Sequence, residues 1–393
     1  SLSQARALIS GDFGFALPFA SQPLGFAVGG EYRKYAASQA SDTLAKTAGE
    51  LGGAGGAAPD IDGGYTVYEG YAELIAPLIE DRPFFKSLTL ETGIRYSDYS
   101  IRGADGYDTT TWKAGGTWEP ADGVKFRGNY SRAVRAPNIG ELFTPQTVAL
   151  TNLGIDPCAG SAPTTNANLR AICLAQGAPI GSIGSITNPT AGQANILVGG
   201  NLDLQPEKAN TWTIGAVLQP AFFPRFSMSI DYYNIRVKDV IGTALPGDTI
   251  AACFGNITAA SATDPACTVI QRNPLTGGLD GDPSLASGLF GPTTNLGELY
   301  TDGVDLIANY NANLGFARLG LSFVGNWTRN SEYNSNAASP TGFFRECSGY
   351  YSVNCSFTGS IQRRVAAVAL DRRRRLRAAP VRGRSGLGPS RPG

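Results

Sequence analysis

Leu88-Thr89-Leu90-Glu91-Thr92-Gly93-Ile94-Arg95-Tyr96-Ser97-Asp98 alternates between two kinds of residue. Leu88, Leu90, Thr92, Ile94 and Tyr96 fall on one side; Thr89, Glu91, Gly93, Arg95 and Ser97 fall on the other. Side chains of an extended chain point alternately to opposite faces, so this period of two predicts a β-strand with one apolar and one polar face. The pattern repeats at 109–118, where Trp112, Ala114 and Trp118 oppose Thr111, Lys113 and Thr117. At 124–134, Val124, Phe126 and Tyr130 oppose Lys125, Arg127, Asn129 and Ser131. Further runs occupy 211–219, 225–233, 303–310 and 319–328, with Asp231 and Asp305 on the polar sides. Weaker runs occur at 25–36 and 65–77, the latter carrying Glu69 and Glu73.

A half-wet sheet in a soluble protein alternates in the same way. Two other features point to a membrane barrel. The strands read as about 10 to 13 residues, the length that tilted membrane strands require. The connections also alternate in length: 78–87, 119–123, 219–225 and 311–316 are short, whereas 38–64, 135–206, 241–298 and 331–356 are long, with 100–107 the exception. Short turns on one side and long loops on the other is the outer-membrane pattern, with the long loops outside the cell. Aromatics near strand ends, such as Tyr65, Tyr96, Trp118, Trp212, Tyr310 and Trp327, match interface girdles. The fold class read here is all-β, a partial transmembrane antiparallel barrel with short periplasmic turns and long extracellular loops. The runs give nine strands and a fragment at each end.

Composition narrows the function. The chain has 50 Gly, 24 Pro, one Met and no His among 393 residues, which favours strands and turns over helices. Without His, Ser-His-Asp and Cys-His catalysis and His-based metal sites are excluded, and no other catalytic constellation is present. The net charge of zero hides a split, because ten Arg and one acid lie from Arg363 onward. That leaves 22 basic and 31 acidic residues in 1–362, a net of −9. An acidic body argues against nucleic acid as a partner. No run of about 20 apolar residues forms a transmembrane helix. Ser1 is not an initiator Met and no leader pattern follows it, so the chain reads as beginning inside a longer protein.

The cysteines fall in three local pairs, Cys158 and Cys173, Cys253 and Cys267, Cys347 and Cys355, all within long loops. Three small disulfide rings in an oxidising exterior are expected; free thiols or a zinc cluster are the alternatives, the latter without C-x-x-C spacing. Gly52-Gly53-Ala54-Gly55-Gly56 lacks the following Lys-Ser/Thr of a phosphate loop. Leu279-Asp280-Gly281-Asp282 lacks most ligands of a calcium loop.

Several segments resemble those of TonB-dependent receptors, the plugged barrels of the Gram-negative outer membrane. The most specific is Asn129-Tyr130-Ser131-Arg132-Ala133-Val134-Arg135-Ala136-Pro137-Asn138-Ile139-Gly140-Glu141-Leu142-Phe143, which resembles the family's S-x-x-x-R-A-P-x-x-x-E-L-F run. Gly93 to Tyr99 resembles a G-x-R-x-D-x-Y strand with its spacing altered by one, and Gly200 to Trp212 resembles the N-P-x-L-x-P-E segment. Ser229 to Ile235 and Tyr300 to Leu306 look like two later strands, and the likeness covers 1–362 in the family's order. The resemblance implies a barrel of about 22 strands, wide enough to need a plug. The chain would then be roughly half of that barrel, working in an energy-coupled receptor and transporter for a scarce solute. The implied partners are outer-membrane lipid, an N-terminal plug absent from this chain, an inner-membrane energy-coupling complex reached through that plug, and a small-molecule ligand. No cofactor is implied.

Within that frame, Arg132 or Arg135 is expected to pair with Glu141 or Glu207 and brace the rim. Glu69, Glu73, Glu91, Arg95, Lys113, Lys125, Arg127, Asp231 and Asp305 are expected to face the lumen. Loop 138–200 carries only Glu141, Asp156 and Arg170 as charges, and loop 241–298 mostly acids, which suits a neutral ligand such as a carbohydrate better than an anionic ferric chelate. Phe143, Phe254, Phe290, Phe343 and Phe344 are the loop aromatics on which such a ligand would stack. From Arg363 the alternation stops, and 363–393 reads as a basic, non-homologous tail, out of frame or disordered. The rival readings are a passive porin or adhesin barrel of fewer strands and a secreted soluble β-protein whose apolar faces would have to be buried.

Overall fold

The computed structural model describes residues 1–47, 50, 56–334, 344–348 and 367–372. Six strands open the chain: β1 (Leu2–Ala16), β2 (Pro23–Gln39), β3 (Ile61–Arg82), β4 (Phe85–Ile101), β5 (Tyr107–Ala121) and β6 (Val124–Arg135). The chain then leaves the sheet through α1 (Ile139–Phe143), β7 (Thr147–Asn152), α2 (Ala162–Thr165), α3 (Ala167–Ala175) and β8 (Gln193–Gly199). It returns as β9 (Glu207–Leu218) and β10 (Phe226–Gly242). A second excursion holds α4 (Pro246–Phe254), α5 (Pro265–Thr268) and β11 (Leu289–Pro292). The sheet resumes with β12 (Thr294–Asn313), β13 (Ala317–Asn334) and β14 (Phe344–Glu346). β15 (Ala367–Arg372) lies within the segment read as a tail and pairs antiparallel with β13.

One antiparallel sheet runs β1-β2-β3-β4-β5-β6-β9-β10-β12-β13-β14, and among the described residues it does not close into a ring. The nine strands read from periodicity are all present, and the N-terminal fragment is β1. The strands are longer than the sequence suggests, from 12 residues in β6 to 22 in β3. Pro77 does not end β3 as the reading of 65–77 and 78–87 requires. The register shifts between Pro77 and Ile79, so the missing donor is absorbed in a bulge and pairing continues to Arg82 opposite Phe85. The turn is therefore only 83–84.

The large apolar side chains of the strands stay outside. Ile94 is 55% and Trp327 62% exposed, and Leu90, Phe126, Ile214 and Phe323 are also exposed. A soluble sheet would bury this face, so the exposure matches a wall whose apolar surface meets lipid. Among the described residues no helix is long and apolar enough to cross a membrane.

The buried apolar residues gather instead in the two excursions. There β7 pairs antiparallel with β8, and β8 pairs parallel with β11, forming a second sheet. Ile172, Ala194, Ile196, Ile270, Leu279 and Leu289 form its core with the Cys253–Cys267 disulfide. Cys158–Cys173 anchors an adjacent cluster with Leu169 and Ile186. The segments read as open loops are thus a stapled cap over one end of the sheet. Cys347 is also disulfide-bonded, while Cys355 lies outside the described residues.

Candidate functional site

The segment with the most specific resemblance has a local physical explanation. β6 ends at Arg135, and Pro137 has no N–H to continue the ladder. Asn138 then caps α1: its side chain accepts from the Glu141 N–H at 2.9 Å, and its own N–H donates to Glu141 Oε2 at 2.8 Å. α1 places Leu142 against Ile101, Leu204 and Ile241. Phe143 packs against Gly63 of β3, where an added Cβ would sit 2.2 Å from its Cγ.

Arg135 ties this rim together. Its Nε and Nη2 donate to Glu207 at 2.7 Å each, and its Nη1 reaches Glu141 at 3.0 Å. Glu207 Oε1 also accepts from the Ile241 N–H at 2.8 Å, linking β6, α1, β9 and β10. Arg132 takes no part, which corrects its expected place in the brace. It sits opposite Trp112 and Asn210 on the apolar face, three residues from Arg135 and therefore on the other side of the strand, and among the described residues it makes no ion pair.

The nine residues expected to face the lumen share one face, which the register makes explicit. Glu69 lies opposite Ser97, Arg95 opposite Thr111, Glu73 opposite Gly93, and Gly93 opposite Lys113. Glu91 lies opposite Gly115, Arg127 opposite Gly215, and Gly215 opposite Asp231, which faces Asp305. Lys125 is on the same side and pairs with Glu119 at 3.3 Å. Asp305 accepts from Asn326 at 2.7 Å.

The densest part of this face surrounds Glu69. Its carboxylate is buried and accepts from Arg33 at 2.6 Å, from Ser97 at 2.7 Å and from Arg95 at 3.4 Å. The hydroxyl end of Tyr71 lies over Gly29 and accepts from Arg6 Nε at 2.8 Å, with the Arg95 and Arg6 guanidinium carbons 4.8 and 5.5 Å from its ring centre. Tyr35, Tyr65, Tyr99 and Tyr107 form a row of ring contacts toward the capped end, with centroids 4.9, 6.3 and 4.9 Å apart. A cavity of 540 Å³ opens here, lined among others by Arg33, Glu69, Tyr71, Arg95, Tyr99 and Lys113. Arg33 and Tyr71 were not singled out from the sequence; the weak alternation of 25–36 held the only signal for Arg33.

The expected ligand-stacking aromatics are dispersed. Phe143 packs in the α1 cluster and Phe254 against both cap cores, each half-buried, because a folded cap uses its aromatics for its own packing. Phe290 is half-buried in β11. Phe344 lies in β14 with its backbone paired to Asn334, and Phe343 lies outside the described residues. The cap also contains a pair that spacing did not reveal. Arg272 and Asp156 are fully buried and doubly bonded at 2.6 and 2.8 Å, with Gln176 Oε1 accepting from Arg272 Nε and the Gly277 carbonyl from Arg272 Nη1. Asp280 and Asp282 accept from the Thr190 N–H and from Ser284, and no group of three metal-ligating side chains forms among the described residues.

A family model described as TonB dependent receptor-like, beta-barrel, matches residues 3–346. Similar solved structures include the siderophore receptor PirA of Acinetobacter baumannii, with 15% identity over 85% of this chain and 38% of that one and a TM-score of 0.47. A mutant of the ferric enterobactin receptor PfeA of Pseudomonas aeruginosa, in complex with enterobactin, is 13% identical over 83% of this chain and 35% of its own, with a TM-score of 0.49. The FrpB iron transporter of Neisseria meningitidis is 13% identical over 86% of this chain and 36% of its own, with a TM-score of 0.42. The chain spans well under half the length of each. With its outward apolar strand faces, its ion-paired polar face and a family match across nearly all of its sheet, the chain belongs to the TonB-dependent receptors of the Gram-negative outer membrane and forms part of their β-barrel.

Proposed function

We propose that this chain forms wall and outer cap of a receptor that takes a scarce small molecule across the outer membrane by energy-coupled uptake. The observation that carries the reading is the division of the sheet into two faces from β2 to β12. The apolar face meets outer-membrane lipid, and the polar face, with Glu69, Lys113, Arg127 and Asp231, lines the lumen. A lumen closed by about 22 strands would need a plug, and the plug would connect the receptor to an inner-membrane energy-coupling complex. The chain acts by binding and passage, not by catalysis.

The test is accumulation of radiolabelled solute by cells that carry the receptor containing this chain. Uptake that needs both the receptor and the proton-motive force supports the reading. Uptake that survives an uncoupler and rises linearly with solute concentration would replace it with a passive pore.

A further inference from the structure

The cavity beside Glu69 has more to say about what is taken up, and the point rests on the uptake reading. We infer that the solute recognised there is neutral and polyhydroxylated, a carbohydrate, and not an anionic ferric chelate.

Charge decides between these classes. The polar-face cations lining the cavity are Arg33, Arg95, Lys113 and Arg135. Arg33 pairs with Glu31 and Glu69, Arg95 with Glu69, Lys113 with Glu73, and Arg135 with Glu141 and Glu207. Four cations thus meet five carboxylates. Arg132 borders the cavity from a strand position that faces the other side of the sheet. An anion entering here must break an existing pair or lie against a carboxylate, and both cost binding energy. The two excursions add no positive funnel. Their cations are Arg170 and Arg272, and Arg272 is fully buried on Asp156.

A sugar hydroxyl has the opposite requirement, since it donates and accepts at once. The cavity offers both kinds of partner close together on partly exposed side chains: the Arg95 guanidinium, the Lys113 ammonium, the Glu73 carboxylate, and the hydroxyls of Thr111 and Ser131. The ion pairs hold these groups in fixed positions, so little order is lost on binding. Tyr99, half-buried between Tyr65 and Tyr107, supplies an aromatic surface at the cavity wall against which the C–H face of a pyranose can pack, whereas Tyr71 is buried among Arg6, Arg95 and Gly29. The volume of 540 Å³ lies within the range of about 300–1,000 Å³ usual for small-ligand sites.

The experiment is a fluorescence titration of the receptor carrying this chain, purified in detergent. The probes are a panel of neutral gluco-, xylo-, manno- and galacto-oligosaccharides, ferric enterobactin, a ferric hydroxamate and cyanocobalamin. A neutral oligosaccharide is expected to bind at least about tenfold more tightly than either chelate, with affinity nearly constant as NaCl rises from about 0.05 to 0.5 M. Tyr99→Ala is expected to weaken it about tenfold and Tyr99→Phe far less, with the folded protein's gel mobility unchanged. Tightest binding by a chelate, or no binding by any oligosaccharide, would overturn the proposed class. Energised uptake of a chelate by cells would then leave the uptake reading standing. A receptor that accumulates none of the probes in energised cells would remove both.

Discussion

Arg127 on β6 holds Asp231 on β10 through two bonds of 2.7 and 2.6 Å, although β9 runs between the two strands. The residue between them is Gly215, and a Cβ there would lie 1.9 Å from Asp231 Oδ1. Strands two apart are separated by roughly 10 Å, so a side chain bridges them only where the middle residue leaves the surface open. Glu73 and Lys113 repeat the device more loosely across Gly93, at 3.3 Å.

Gly215→Ala is therefore expected to break the Arg127–Asp231 pair and cost about 1–3 kcal/mol. Gly93→Ala, whose nearest contacts are 3.1 and 3.3 Å to flexible side-chain carbons, should cost less. Denaturant midpoints in detergent compare the two. Equal midpoints would mean that the bridge adds nothing to the wall.

Asp156→Ala leaves the fully buried Arg272 guanidinium without its counter-charge. The expected cost to the cap is about 3–5 kcal/mol, with the strand wall unaffected. Limited proteolysis should show new cuts within 136–206 and 243–293 and none in the strands. An unchanged digest would show that the cap does not depend on this pair.

The Cys158–Cys173 and Cys253–Cys267 bridges are almost completely buried, and they join cysteines 15 and 14 positions apart. A thiolate must reach the sulfur to reduce it, so dithiothreitol alone should leave them oxidised. Reduction should begin only in denaturant that opens the cap, and each lost bridge should cost about 3 kcal/mol. Alkylation mapping by mass spectrometry reads this directly, and rapid labelling of all four cysteines in buffer would count against a closed cap.

Glu207 and Glu141 share Arg135 but differ in what else they hold. Glu207 makes two bonds to Arg135 and accepts from the backbone of Ile241; Glu141 makes a longer contact and completes the α1 cap. Glu207→Ala should destabilise the rim by about 1–2 kcal/mol and Glu141→Ala by about 1, with Arg132→Ala near zero. Hydrogen exchange at Ile241 distinguishes them, since only Glu207→Ala should expose that amide.

In the connection between β2 and β3, the Lys46 ammonium and then the Ser41 N–H hold the Asp60 carboxyl below the usual aspartate range. A depressed folded value stabilises the loop above the ordinary aspartate pKa near 4 and loses that effect as pH falls through the lower value. The Ser41 amide resonance should titrate with a midpoint below about 4. A midpoint at or above it would mean that the tie is absent in solution.

The sequence determined the sheet and its two faces. Period-two alternation is a local property of an extended chain, and the loop-length pattern needs no knowledge of contacts, so β2 to β6, β9, β10, β12 and β13 were all legible, along with which residues share the polar face. The Arg135 rim was nearly legible, because Arg135, Glu141 and Glu207 lie in segments with specific spacing; Arg132 was misplaced because alternation was not carried to the end of β6. Local cysteine spacing pointed to three disulfides, of which the structure contains Cys158–Cys173 and Cys253–Cys267. The tertiary structure alone decided the cap. Arg272 meets Asp156 across 116 positions, and Asn195 on β8 bonds the Ala286 carbonyl across 91. Such contacts depend on two separate excursions folding against each other, and no period in either segment encodes that. The same distance effect moved Phe143 and Phe254 from expected ligand surface to packing. A residue's partner is set by what the fold brings to it, whereas its face on a strand is set by its neighbours in the chain.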